Sequence, residues 1–245
     1  MHSLSAPLLF AAFSFLLAGS AKGVAGMGLP TVAMGLLGLQ MPPAEAASLI
    51  VFPSLATNLW QYLGGPHRLG LLRRLWPMLL AICAATWAGA GLLVNGVARD
   101  ATLALGGALL AYGLFGLARL RLAVRPNHER WLSPAAGLAT GVITGATGVF
   151  VLPAVPYLQA LDLKKDVLVQ ALGLSFTVST LSLAAGLATR GALQVTAAGE
   201  SLACILPALA GMALGQRLRN RIAQASFRRV FFLALLALGA ALVAR

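Results

Sequence analysis

The sequence predicts an all-α polytopic membrane protein. It has two inverted-topology repeats of about five helical segments each, and the first two segments of each repeat form a glycine-broken hairpin. Three observations carry this prediction. Of 245 residues, 59% are hydrophobic and only 10% are charged, against about 25% charged in soluble domains. The chain resembles itself when shifted by 122 residues, half its length. Glycines also crowd two matched places, Gly19 to Gly28 and Gly141 to Gly148, where an apolar stretch is interrupted.

Composition narrows the function classes. At about 20 residues per crossing, the chain has room for roughly eight to ten segments and almost nothing outside the bilayer. Six acids leave little material for acid–base or metal chemistry. The net charge of +12 would suit nucleic acid, but its placement does not. Basic residues lie in short clusters between apolar stretches: Arg68, Arg73 and Arg74, then Arg119, Arg121, Arg125 and Arg130, then Arg217, Arg219 and Arg221. Arginine so placed marks cytoplasmic loops, and no nucleic-acid partner is expected. Cys83 and Cys204 both lie in apolar stretches and read as packing residues, not as a disulfide.

The elements follow in order. Apolar stretches in the first half run over 4–21, 24–40, 45–63, 70–94 and 101–118. Leu8 to Ala21 ends in small residues, as a secretory signal does, but no Lys or Arg precedes it and it has a repeat partner; it reads as a retained helix. Pro53 marks a kink in the third segment. The second half gives 132–143, 147–161, 167–188, 194–215 and 227–244. Without any gap, Gly19, Gly23 and Gly26 fall on Gly141, Gly145 and Gly148, and Thr57-Asn58-Leu59 falls on Ser179-Thr180-Leu181. Gly89 falls on Gly211 in the same register. Residues 1–122 and 132–245 are thus the two repeats of one integrated membrane domain. A polar cytoplasmic linker, 123–131, joins them, and its Pro126 reads as a helix stop.

Charge selects the path. If each glycine-broken pair crossed once, Lys and Arg would divide evenly between the faces. If each pair is a hairpin, 15 of the 18 collect on one face and leave Arg99, Arg190 and Arg245 on the other. That positive-inside bias selects the hairpin and puts both termini outside the cytoplasm. Lys22 is counted on the cytoplasmic face, at the hairpin tip. An odd number of crossings per half inserts the second half upside down relative to the first. Two alternating arrangements are then close in internal energy.

Irregular backbone is tolerated at membrane depth only where protein or a water-filled cavity covers it. The paired breaks therefore point to a binding site. They are expected to present unpaired helix N-terminal amides, and Gly23, Gly26, Gly28, Gly145 and Gly148 would let an anion approach closely. Lys22 adds a positive charge, and Thr144 and Thr147 add hydroxyl donors. For any one glycine, close helix packing is the plainer reading. Ser54, Asn58 and Gln61 share one helix face, as do Ser175, Ser179 and Ser182. Thr57-Asn58 and Ser179-Thr180 are repeat partners and should meet near the pseudo-two-fold axis, as path lining or as interhelical glue. Glu45 suits a helix start; Glu200 is either a proton carrier or a snorkelling interfacial carboxylate. The expected ligand is a small oxyanion.

These residues resemble the TauE/SafE family of sulfite and organosulfonate exporters. The resemblance rests on Lys22-Gly-Val-Ala-Gly-Met-Gly-Leu-Pro30, Pro42-Pro43-Ala44-Glu45-Ala46-Ala47-Ser48, and Asn58 with Gly64-Gly65. A second copy runs from Gly141-Val-Ile-Thr-Gly145-Ala-Thr-Gly148 to Pro153, then from Gly173 to Thr180. Met27-Gly28-Leu29 stands where many relatives carry a glycine triplet. The resemblance implies sulfite, sulfoacetate or a related sulfur anion leaving the cytoplasm, with no metal and no organic cofactor.

The leading expectation is a secondary transporter exporting such an anion across a bacterial inner membrane, with or without a coupled proton. An importer of a sulfonate or another small organic anion is the alternative within the class. A membrane enzyme would need clustered acids or His with Asp inside the bilayer, whereas His2, His67 and His128 lie at ends or in loops. A non-transporting assembly subunit would not need the broken hairpins. Expected partners are the lipid bilayer, the small anion and, through the many small residues, a second copy in a homodimer.

Overall fold

The computed structural model describes residues 6–118, 120, 122–193, 195–219 and 221–245. Arg119 and Arg121, counted above on the cytoplasmic face, lie outside the described residues, as does His2. The described chain is helical throughout, with no strand. Its elements are α1 (Ala6–Ala25), α2 (Leu29–Leu37), α3 (Pro43–Leu63), α4 (Arg68–Asn95), α5 (Ala98–Ala118), α6 (Pro126–Thr147), α7 (Ala154–Ala160), α8 (Lys165–Ala188), α9 (Val195–Ala203), α10 (Ile205–Leu218) and α11 (Gln224–Val243). Six helical runs are long and apolar enough to cross a membrane: α1, α4, α5, α8, α11 and the run Ala198–Leu218 that joins α9 to α10. The protein is a multi-pass membrane protein. Its outward surface fits lipid, with Trp60, Trp76, Trp87, Trp131, Leu206 and Val230 all exposed.

The hairpins are unequal. The first arms, α1 and α6, have 20 and 22 residues. The second arms, α2 and α7, have only 9 and 7. At 1.5 Å per residue those second arms rise about 14 Å and about 10 Å, against a hydrocarbon core of about 30 Å. Neither can cross alone. The breaks also fall one turn later than the sequence suggests. Helix α1 runs through Lys22 and Gly23, and the chain turns at Gly26 and Gly28, whose φ angles are 79° and 104°. Helix α6 runs through Gly145 to Thr147 and ends at Gly148, φ 70°. The left-handed residues break the helix; the glycines before them stay helical and serve as contact points.

Those contacts repeat. Helix α1 packs on α10 and α6 packs on α4. A Cβ at Gly23 would meet the α10 backbone around Met212 and Gly215, and one at Gly145 would meet the α4 backbone around Thr86 and Gly89. Gly211 likewise faces Leu16 and Ser20, while its repeat partner Gly89 faces Val142 and Gly145. Such backbone-to-backbone approach is how membrane helices associate without a hydrophobic driving force. Helices α3 and α8 pack together, as do α5 and α11.

Two further differences from the sequence reading concern boundaries. Pro126 opens α6 instead of stopping a helix, since its missing N–H costs nothing at a first turn. The fourth segment of the second half is two helices, α9 and α10, separated at Cys204, with Pro207 in the first turn of α10.

Candidate functional site

The crossing of α3 and α8 carries the polar core. Ser54, Thr57 and Asn58 from α3 and Ser175, Ser179 and Thr180 from α8 are all buried. Asn58 Nδ2 donates to Thr180 Oγ1 at 3.4 Å, so two residues 122 apart in sequence meet at the crossing. Thr180 Oγ1 in turn donates to Phe176 O at 2.7 Å.

Lys22 enters this crossing from the last turn of α1 and is 1% exposed. Its Nζ donates to Thr57 Oγ1 at 3.0 Å and to Asn58 Oδ1. An ammonium has three N–H donors, so one is left. Among the described residues Lys22 is the only buried acidic or basic side chain, and the only ion pair, Arg74 with Glu129, lies elsewhere at the surface. A cation buried without a carboxylate is expensive. Its place at a helix C-terminus offsets part of that cost through the dipole. An anion would offset the remainder.

Other hydroxyls on the helices of this crossing and on α2 have no partners of their own. Ser54 Oγ, Ser175 Oγ and Ser179 Oγ are buried and unbonded among the described residues, as is Thr31 Oγ1 in the first turn of α2. Four free hydroxyl donors, a spare ammonium N–H and no acid suit a ligand with several acceptor oxygens and negative charge. Thr31 was not anticipated; its only sequence signal is a Thr directly after Pro30.

The other anticipated residues serve the hairpins. Gln61 Nε2 donates to Gly26 O at 2.8 Å and ties α3 to the first break, leaving its Oε1 buried and unbonded. Thr147 Oγ1 donates to Ile143 O at 2.6 Å and accepts from Val149 N at 3.2 Å, while Thr144 Oγ1 donates to Val149 O at 3.3 Å. These two hydroxyls cap the end of α6. Gly23 and Gly145 are helix contacts, and Gly28 lies under the Phe231 ring, where a Cβ would come within 3.0 Å of it. At the anticipated amide-rich ends, Val155 N in the first turn of α7 bonds Val151 O, and the regular helical bonds begin with Tyr157 N to Pro153 O in α7 and Val32 N to Gly28 O in α2. Side chains, more than helix ends, form the polar cluster. Glu200 is exposed on α9 and Glu45 is exposed in the first turn of α3.

A cavity of about 720 Å³ lies one turn beyond Lys22, lined by Val24, Ala25 and Met27 after α1, by Tyr112 and Phe115 of α5, by Gln159 near the end of α7, and by Arg228, Phe231 and Phe232 of α11. It does not reach Lys22. In its wall Tyr112 Oη donates to Met27 Sδ at 3.4 Å and Arg228 donates to Gly116 O at 2.8 Å.

Comparison with known proteins adds the family. The profile described as "Sulfite exporter TauE/SafE" matches residues 11–242. Neither a curated protein nor a solved structure matches the chain.

Proposed function

The chain belongs to the TauE/SafE sulfite exporter family, and from that membership and the buried Lys22 cluster we propose that it is a secondary transporter exporting a small sulfur-containing oxyanion, sulfite or an organosulfonate, across a bacterial inner membrane. One observation carries the choice of ligand class. Among the described residues the one buried acidic or basic side chain is Lys22, whose amine bonds Thr57 and Asn58 at the α3–α8 crossing, where Ser54, Ser175 and Ser179 keep unbonded hydroxyls. Sulfite and sulfonates offer three acceptor oxygens to such a group. Lys22, Thr57, Asn58, Ser175, Ser179 and Thr180 are the proposed binding residues, with Ser54 and Thr31 beside them.

The proposed cycle is alternating access between two inverted repeats, residues 1–122 and 132–245. The equivalence of the α1–α10 and α4–α6 contacts supports it, as does the meeting of Asn58 with Thr180. The cavity at the ends of α1, α5 and α7 and the start of α11 is the proposed inward vestibule, with the Gly26–Gly28 turn as its inner wall. Those ends are the ones the arginine clusters assign to the cytoplasm, so both termini are periplasmic in this reading. Export suits an anion leaving a negative interior, at about 2.3 kcal/mol per charge per 100 mV.

A counterflow panel in proteoliposomes tests the proposal, with sulfite, sulfate, thiosulfate, sulfoacetate and a simple carboxylate. Sulfite or sulfoacetate is expected to exchange. Exchange of the carboxylate alone would reject the sulfur assignment, and exchange of none would favour a non-transporting subunit. Uptake compared between inside-out and right-side-out vesicles reads the direction.

A further inference from the structure

Pro53 sits inside α3, one turn before Thr57. It has no N–H, so the carbonyl four residues back, Leu49 O, has lost its helical donor. Within a membrane such a group must find another partner. It finds one on a different helix. Ser201 of α9, fully buried, donates its hydroxyl to Leu49 O at 2.6 Å and accepts the Phe52 N–H at 3.2 Å. One hydroxyl thus bridges the gap that the proline opens. On the other side of the gap, Thr57 Oγ1 donates to Pro53 O at 2.8 Å and accepts from Lys22 Nζ at 3.0 Å. The hydrogen bonds from α9 and those that lead to the buried amine thus meet α3 at successive residues, Phe52 and Pro53. The second half has no copy of this device. At the positions equivalent to Pro53 and Ser201, 122 residues away, stand Ser175 and Leu79.

We infer that Ser201 is a positioning residue for the anion site. By supplying the donor that Pro53 lacks, it fixes the course of α3 and so the placement of Thr57 and Asn58 against Lys22. This rests on the Lys22 cluster being the anion site. Ser201 itself touches no substrate. The competing account is that Ser201 only glues α9 to α3; its loss would then lower stability without regard to residue 53.

The test compares Ser201→Ala, Ser201→Thr, Pro53→Ala and the Ser201→Ala/Pro53→Ala pair. Sulfite transport in proteoliposomes gives KM and Vmax separately. Ser201→Ala is expected to raise KM roughly three- to thirtyfold, the equivalent of one interhelical hydrogen bond, with a smaller change in Vmax. Ser201→Thr should restore it. In the Pro53→Ala background, where an N–H returns within reach of Leu49 O, Ser201→Ala should add nothing. A readout that needs no transport is the N-ethylmaleimide labelling rate of Asn58→Cys, in protein carrying Cys83→Ser and Cys204→Ser. The same non-additive pattern is expected there. Additive effects, a silent Ser201→Ala, or a change confined to the melting temperature would each overturn the inference. Lys22→Met in the same assays separates the two ideas. Unchanged sulfite kinetics in that variant would reject the Lys22 site, while the 201/53 coupling judges Ser201 by itself.

Discussion

Replacing Lys22 by methionine removes the charge and all three donors while keeping an unbranched side chain of similar length. Lys22 is 1% exposed, so water cannot take the place of the lost groups. Two effects follow. Asn58 Oδ1 loses its donor, while Thr57 keeps its bond to Pro53 O; an orphaned buried acceptor costs about 1–3 kcal/mol. That term weakens the folded protein with or without ligand. The second effect acts on the ligand alone. A unit charge about 4 Å from a bound anion contributes about 4 kcal/mol at an effective dielectric near 20, nearly a thousandfold in affinity. The expected result is a sulfite KM raised roughly a hundred- to thousandfold, with the protein still monodisperse in detergent. Ligand-induced stabilisation gives a second view, because sulfite should raise the melting temperature of the parent by mass action and leave Lys22→Met unmoved. A Lys22→Met protein that exchanges sulfite within about twofold of the parent would refute the reasoning, since no factor near the Coulombic estimate could then be acting.

Three other expectations follow from the geometry. Gly145→Val forces a side chain into the α4 backbone around Thr86 and Gly89, so its melting temperature should fall well below that of Gly107→Ala, where a Cβ meets nothing within 4 Å; equal melting temperatures would deny the close crossing. Ala225→Cys, in protein carrying Cys83→Ser and Cys204→Ser, lines the proposed vestibule; a membrane-impermeant thiol reagent should label it from the cytoplasmic side and slow transport, and labelling only from outside would invert the topology. An alkaline phosphatase domain fused after Arg245 should be active in cells, because the positive-inside count leaves the C-terminus in the periplasm; an inactive fusion beside an active one placed after Gly70 would show the reverse orientation.

Much of the architecture is legible in the sequence because it depends on long apolar runs and on a repeat. Boundaries of α4, α5, α8 and α11 differ from the apolar stretches by a few residues at most. The meeting of Asn58 with Thr180 was anticipated from their 122-residue spacing in the self-similar sequence, and the two side chains do bond. The hairpin breaks were legible only roughly. A glycine that ends a helix and a glycine that lets another helix approach look alike in one dimension. Gly23 and Gly26 are three residues apart, yet the first is a backbone contact and the second a left-handed turn. Placing Lys22 at a loop tip followed from taking Gly23 as a breaker; one more helical turn carries the amine into the core. Gln61 and Thr147 are polar residues at depth, as a site requires, but the backbone at the hairpin breaks claims them, Gly26 O and Val149 N. Ser201 was illegible because its partner is a gap in another helix, 152 residues from it at Leu49.

The departure from two-fold symmetry at the site bears on the cycle. Lys22 and Thr144 hold equivalent repeat positions but do different things. Lys22 reaches across to Thr57 and Asn58 of α3, whereas Thr144 stays inside its own hairpin and donates to Val149 O at 3.3 Å. In the proposed exchange each half takes the conformation of the other. Lys22 would then turn toward the carbonyl of Met27, the counterpart of Val149, and leave Asn58. The amine would change partners between states, so a bound anion would interact differently with each, which is the condition for a ligand to shift their populations. Only one half carries the amine, so in the proposed cycle the two states would differ in energy even on a scaffold that treated them alike. The double exchange Lys22→Thr with Thr144→Lys moves the charge to the other half. It should retain sulfite exchange and reverse the preferred state, making Ala225→Cys less accessible from the cytoplasmic side. Loss of exchange together with unchanged labelling of Ala225→Cys would mean that the amine does not set the balance between the two states.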